Sequence, residues 1–427
     1  MVRPIASLPT AKEAPKPFLW HFVPLLVAAL WIALQPLLGT VANLSGGEDV
    51  EKGASRAALV DPLNPKWSRI LGIFYRYSGE PQRAMMIQEG LVLKNPLEPD
   101  YWIDLGETML FMHRTQGLRM VKNASFLDPT NGNYRWKVLI TALQWGDPEL
   151  ASREMKALLL LEPSKRPVIF QLAYRLFEGD LERVMAKVVP LDQGVMEDFL
   201  FYLFNHEKAA EAWQLWQELE LRDWVSERAL KGMVNFLMQN QAYGMAYSIW
   251  SRHVAMDESG AIYNPGFERE LLGYGFGWRW EKVKGVSYDL SYSQHVEGRH
   301  SFHLRFDGEH NPAFATPYQI VYLADPGNYI LRAFVKTRSI TSSEGPYLFV
   351  QGQNGAVVKG PKLRGDNAWR EILIPFSLEK GDNAVVIGIR RDRSNRLNRF
   401  LGGELWIDKV SIEHQGEDEE EVTAGTA

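Results

Sequence analysis

Cysteine is absent from all 427 residues, which removes disulfides, zinc–thiolate sites and thiol nucleophiles together. The redox compartment is therefore left unmarked. Neither charge sign is in large excess: 47 Lys and Arg against 52 Asp and Glu leave a net charge of −5. Without a basic patch or stripe, nothing points to nucleic acid. Catalytic signatures are missing as well. No Gly-x-Ser-x-Gly, His-Glu-x-x-His or Walker sequence occurs. Gly273, Gly275 and Gly277 precede Trp-rich, strand-like sequence rather than a helix, so they do not form a dinucleotide loop. His300 and His303 are three apart in strand-like sequence and should face opposite sides, while His295, His303 and His310 could meet only through tertiary folding. A glycosidase needs two carboxylates across a cleft, and acidic residues are too plentiful here to nominate a pair. The expectation is a protein with no catalytic residue, a carbohydrate-active enzyme being kept as an alternative.

Long apolar runs are scarce too, with one exception. Between Lys16 and Glu48 the sole ionisable side chain is His21, and such a run is long enough to cross a bilayer as a helix of about 20 residues. A cleaved signal peptide, with Thr40-Val41-Ala42 as its processing site, is the rival, but its apolar core would be shorter. Arg3, Lys12 and Lys16 precede the run and Glu48, Asp49 and Glu51 follow it. By the positive-inside rule this places residues 1–17 in the cytoplasm, residues 18–42 in the membrane as a signal anchor, and the remainder outside. The expected location is a single-pass cell membrane, with the bulk of the chain periplasmic if the cell has an outer membrane.

The next segment is periodic. Pro62, Pro96, Pro129 and Pro163 are separated by 34, 33 and 34 residues, and Ala84, Gly117 and Ala151 by 33 and 34. A period near 34 marks stacked helical hairpins, and small residues at one phase mark close helix–helix contacts. Ala212 and Trp216 recur as Ala246 and Trp250, and Leu203 as Leu237, each 34 residues on. We expect roughly six hairpins over residues 54–256, with Trp213, Trp216 and Trp250 in the core. Trp102-x2-Leu105-Gly106 and Leu71-Gly72-x2-Tyr75 resemble the tetratricopeptide repeat, which implies a solenoid with a protein-binding surface.

Near Gly260 the sequence changes to short alternating strands with Gly, Pro and Asn between them. Phe302, Leu304 and Phe306 alternate with His303, Arg305 and Asp307, and further strands are expected at 371–376, 384–390 and 404–412. Residues 258–415 therefore read as an antiparallel β-sandwich of about eight strands, followed by an acidic tail over 416–427. Asn264-Pro265-Gly266-Phe267-Glu268 with Trp278 and Trp280, and the closing Gly403-Glu404-Leu405-Trp406-Ile407-Asp408-Lys409-Val410, resemble the first and last strands of jelly-roll carbohydrate-binding modules. That resemblance implies a structural calcium ion held by Glu268 and Asp408, although Lys409 stands where a second acid is common. The other reading of these carboxylates is pairing with nearby Arg or capping of loops.

Sugar recognition stacks rings on aromatic faces and bonds hydroxyls to amides and charged groups. Trp278, Trp280, Tyr318, Tyr347, Gln351 and Trp369 are the candidates, Trp278 and Trp280 being expected on one strand face. The organisation resembles that of bacterial repeat proteins of cell-surface polysaccharide assembly. It implies a membrane-anchored scaffold whose repeats hold a protein partner and whose sandwich holds a polysaccharide. A sandwich that docks protein and has no sugar affinity is the alternative.

Overall fold

The computed structural model describes residues 50–254 and 260–415. The anchor expected at 18–42 and the tail at 416–427 lie outside the described residues. Among the described residues, no helix is long and apolar enough to cross a membrane. Internal contacts divide the chain into two compact units, one ending at Phe199 and the other beginning at Leu200.

The first unit is helical. It contains α1 (Val50–Val60), α2 (Pro65–Tyr77), α3 (Pro81–Lys94), α4 (Pro99–Leu110), α5 (Arg114–Leu127), α6 (Gly132–Gln144), α7 (Pro148–Leu161), α8 (Arg166–Leu176) and α9 (Leu181–Lys187), and α10 (Gln193–Asn205) spans the division. Each of the four periodic prolines falls two residues beyond a helix end, where it cannot continue the helix it follows. Asn64 and Asn131 then cap α2 and α6 by accepting from the N–H groups of Lys66 and Asn133. The small residues sit at the tightest contacts. A Cβ on Gly117 would lie 2.7 Å from the Leu110 nitrogen, and one on Gly106 would lie 2.9 Å from the Gly117 carbonyl oxygen. Ala84 and Ala151 have no exposed surface. Ion pairs tie one repeat to the next: Arg69 in α2 reaches Asp100 and Asp104 in α4, and Lys137 in α6 reaches Asp100. The hairpin of α8 and α9 is short, α9 having seven residues, which is why the proline period lapses after Pro163.

The second unit continues with α11 (Ala209–Leu221), α12 (Glu227–Gln239) and α13 (Tyr243–His253), of which α12 and α13 pack as a hairpin. Trp216 and Trp250 are fully buried and Trp213 is half-buried. The strands β1 (Val286–Ser291), β2 (Ser301–Asp307), β3 (Phe314–Tyr322), β4 (Gly327–Ile340), β5 (Tyr347–Gly352), β6 (Val357–Lys359), β7 (Gly365–Leu378), β8 (Ala384–Arg391) and β9 (Gly402–Gln415) follow. They form two antiparallel sheets, β1-β2-β9-β4-β7 and β3-β8-β5-β6. The strand count is nine rather than eight, because the short β6 pairs only with β5 and carries too few residues to show an alternation. Between the sheets lie Phe302, Leu304, Leu331, Val335, Leu348, Ile387, Leu405 and Ile407. Helix α13 packs on this domain: Tyr247 stacks on Tyr322 at 5.1 Å, and Trp250 meets Tyr263 and Phe276 edge-on. Gly275 makes the fit possible, since a Cβ there would lie 2.6 Å from the Trp250 Nε1.

Candidate functional site

The pairing register brings three of the six sugar-binding candidates together. Tyr318 of β3, Gly388 of β8, Phe349 of β5 and Lys359 of β6 form one cross-strand row. Ile320, Val386, Gln351 and Val357 form the next, and Ala315, Arg390 and Tyr347 flank it on the other side. Because Val321, Ile387, Leu348 and Val350 point to the core, these rows line the outer face of the four-stranded sheet. Residues opposite one another across a sheet are near enough to act as one surface.

Gly388 lets β3 approach β8 closely: a Cβ there would lie 2.3 Å from the Pro317 carbonyl oxygen and 2.9 Å from the Tyr318 Cα, so the β3 backbone fills the space beside it. Tyr318 and Gln351 are half-buried, whereas Phe349 and Tyr347 are 1% exposed. Tyr347 therefore offers no open ring. Its hydroxyl donates to Asp392 (2.8 Å), Lys359 donates to the same oxygen (3.0 Å), and the Lys359 ammonium lies 5.2 Å from the Tyr347 ring centre. Burial, and then the bond to Asp392, pushes the Tyr347 hydroxyl above its ordinary range. The Asp392 bond likewise holds Lys359 high. Burial opposes ionisation of Asp392, yet Lys359 and Tyr347 keep its carboxyl below the usual carboxylate range. The result is a charged edge of Asp392, Lys359 and Arg390, with the half-buried Tyr318 further along the same face. Asp392, Phe349 and Gly388 were not singled out from sequence. The Arg390-Arg391-Asp392 run ending an apolar strand was the available signal.

The other candidates lie elsewhere. Trp278 is 1% exposed and packs on Phe267 at 5.0 Å while its Nε1 donates to the Asn264 carbonyl. It is a core residue and cannot share an open face with Trp280. Residues 278–280 pair with β3 by a single bridge at Arg279 rather than as a regular strand, so simple alternation does not hold there. Trp280 leans on Tyr288 at 4.5 Å near edge strand β1. Trp369 is half-buried on β7, where the register with β4 shifts between Val335 and Thr337. The outer face of the five-stranded sheet is closed by its own side chains. His303 lies parallel to Trp406 at 4.5 Å, Lys336 and Arg338 cover the same indole, and Asp289, Arg305 and Glu404 complete a lattice of ion pairs.

Glu268 and Asp408 do converge, in a cleft of about 530 Å³. Glu268 accepts from the N–H groups of Arg299 and His300 and contacts the His300 Nδ1. Asp408 accepts from the N–H groups of Val296, Glu297 and Lys409. Burial raises the pKa of Asp408, and the Glu268 charge adds to the rise. Calcium takes six to eight oxygen ligands. Here most carboxylate lone pairs face N–H donors, the Lys409 amine is drawn to Glu297, and no cluster of three acidic or His side chains suited to a metal occurs among the described residues. This donor set does not fit calcium. Both carboxylates act instead as clasps on the 294–300 loop.

No family model and no curated protein sequence matches the chain. Its helical hairpins repeat at a 34-residue step, and its strands close into two antiparallel sheets. The chain joins a tetratricopeptide-like solenoid to a jelly-roll sandwich. Solved structures similar to it fall in two groups. One includes the xylan-binding domain CBM22-1 of Paenibacillus barcinonensis Xyn10C (15% identity, 35% of this chain, 90% of that chain, TM-score 0.23). The other includes the tetratricopeptide protein TTC0263 of Thermus thermophilus (19% identity, 40% of this chain, 98% of that chain, TM-score 0.27) and the MamA protein (17%, 42%, 93%, 0.29).

Proposed function

We propose that the protein is a non-enzymatic, membrane-anchored scaffold outside the cytoplasm, whose solenoid holds a protein partner and whose sandwich holds a polysaccharide during cell-surface polysaccharide assembly. The observation that carries the glycan half is the outer face of the four-stranded sheet. Tyr318 and Gln351 are half-buried on neighbouring cross-strand rows of this face, with Arg390 and Lys359 alongside. An aromatic face supplies stacking, and the amide and cations supply hydroxyl contacts. The anchor rests on the charge-free run between Lys16 and Glu48 and on the Lys/Arg excess before it.

The test is retention of the full-length, detergent-solubilised protein in gels containing xylan or mixed-linkage β-glucan. Replacing Tyr318 and Gln351 together by Ala should weaken retention about tenfold, the worth of about 1.4 kcal/mol, without lowering the melting temperature. A parent protein that ignores every polysaccharide offered would remove the glycan half. A reporter active only outside the cytoplasm, fused after Ala427, tests the anchor separately.

A docking module with no sugar affinity is favoured by a different observation: α13 already covers the Tyr322 end of this face through Tyr247. In that reading Tyr318→Ala weakens capture of a co-purifying protein and leaves polysaccharide retention at its background level.

A further inference from the structure

The solenoid carries its own aromatic surface, at positions no repeat marker predicts. Tyr77 ends α2, Phe111 follows α4 and Trp145 follows α6, so each occupies the same turn of successive repeats at separations of 34 and 34 residues. A buried core position would explain such a period, but Tyr77 is 79% and Phe111 71% exposed. Trp145 meets Phe111 edge-on at 5.6 Å, and the Arg76 guanidinium lies 4.9 Å from the Tyr77 ring centre. Single exposed aromatics are ordinary, whereas a repeated set beside a concavity marks an interaction surface. A cleft of about 230 Å³ lies among them, lined also by Glu107, Leu110, Thr141 and Gln144.

The lining identifies the ligand chemistry. Arg76 and Glu107 pair at 2.5 Å, so the cleft presents a donor and an acceptor with no net charge. Gln144 is exposed and adds an amide that can do both. Aromatic faces next to charge-neutral donors and acceptors suit a neutral, hydroxyl-rich ligand. An aromatic ring at each 34-residue step suits a ligand that offers similar units at regular intervals. We propose that the turn edge bearing Tyr77, Phe111 and Trp145 is a second carbohydrate subsite, for an extended neutral oligosaccharide. It makes no use of the sandwich and stands whether or not that domain binds sugar.

The probes are xylohexaose and cellohexaose, with a proline-rich decapeptide as the rival, since extended proline-rich peptides also dock on aromatic grooves. Hydrogen exchange of the full-length protein in detergent reads the turns near residues 77, 111 and 145. Either hexaose should slow exchange there, also in the Tyr318→Ala, Gln351→Ala variant, which separates this subsite from the sandwich. Phe111→Ala with Tyr77→Ala should weaken the hexaose about tenfold at an unchanged melting temperature, and Phe111→Tyr should restore most of the binding. Protection by the decapeptide alone, protection confined to the sandwich, or none with either hexaose overturns the proposal.

Discussion

The solenoid and the sandwich make their contacts at very different distances along the chain. In the solenoid, Arg76 reaches Glu107 and Arg69 reaches Asp104, each about one repeat away. In the sandwich, Val296 donates to Asp408 across 112 residues and Arg391 reaches Pro312 across 79. Local, periodic contacts imprint a period on the sequence. Long-range pairings leave only alternation, which says that a strand exists and not which strand it meets. The two regions should therefore respond differently when broken.

The largest difference should come from Trp278→Ala. Removing a buried aromatic of this kind costs about 3–5 kcal/mol, and here it also leaves the Asn264 carbonyl without its indole donor. The sandwich should lose its cooperative melt while α2 to α7 keep their helical signal. The contact division at Phe199 and Leu200 sharpens this. Helices α12 and α13 belong to the second unit and should exchange their amides faster in this variant, as members of one cooperative block. Unchanged exchange in α13 would show that Trp250 and Tyr247 contribute little to holding it.

The reverse experiment is Ala151→Trp. Ala151 is fully buried in α7, and overpacking a well-filled contact commonly costs about 1–3 kcal/mol. The helical signal should melt earlier while the β-signal keeps its midpoint. If both midpoints fall together, the regions unfold as one, and the comparison collapses.

How much was readable follows from the same contrast. Ala84, Gly117 and Ala151 were found from spacing alone and sit at tight helix contacts. Strands such as β2 and β8 were visible through alternation, whereas the end motifs pointed Glu268 and Asp408 to calcium and gave no sign of the backbone N–H groups that each one accepts from. What spacing could not reveal was which aromatics stay open. Tyr347 faces outward yet is sealed by Lys359 and Asp392, which arrive from β6 and the end of β8. Trp278 turns inward because its segment is not a regular strand. Tyr77, Phe111 and the half-buried Trp145 on the solenoid also share a period, but the exposure of the first two is a property of packing that no spacing reports.

Arg391 shows what long-range organisation costs when disturbed. It is 1% exposed, and its guanidinium donates to the carbonyls of Glu344, Pro312 and Arg399 and to the side chains of Asn311 and Ser342. Lysine keeps the charge but lacks the planar fork. Arg391→Lys should therefore leave several buried acceptors unsatisfied, at about 1–3 kcal/mol for each group stranded. Proteolysis should begin in the loops around residues 311, 343 and 396, with the solenoid intact. Resistance equal to the parent would show that these loops hold themselves.

The smallest expected difference is in acid. A carboxyl whose folded pKa is depressed adds stability above its unfolded value of about 4, and that contribution is lost as pH falls through the folded value. In the sandwich, Glu268, Asp307, Glu344 and Asp392 are held low. For Glu344 the leading cause is its bond to Lys362, while in the other three burial opposes ionisation but hydrogen bonds from His300, Glu309 and Lys359, among others, outweigh it. Asp408 runs the other way: burial raises its pKa, so its contribution is present at low pH and lost as pH rises through the folded value. The solenoid contributes two to the depressed set: Asp100, where burial is overcome by Lys137 and Arg69, and Glu211 in α11, where burial is overcome by a backbone hydrogen bond and by Lys208. Four depressed groups and one raised group in the sandwich, against two depressed groups in the solenoid, leave the sandwich the more acid-sensitive region. Most of these carboxylates are solvent-accessible, so screening by salt should shrink the effect. Thermal melts followed separately in the helical and β-signals between about pH 6 and pH 3 should show the β-midpoint falling further, and added salt should narrow the gap. A helical midpoint that falls first would mean that the inter-repeat pairs of Asp100 matter more than the sandwich's loop carboxylates.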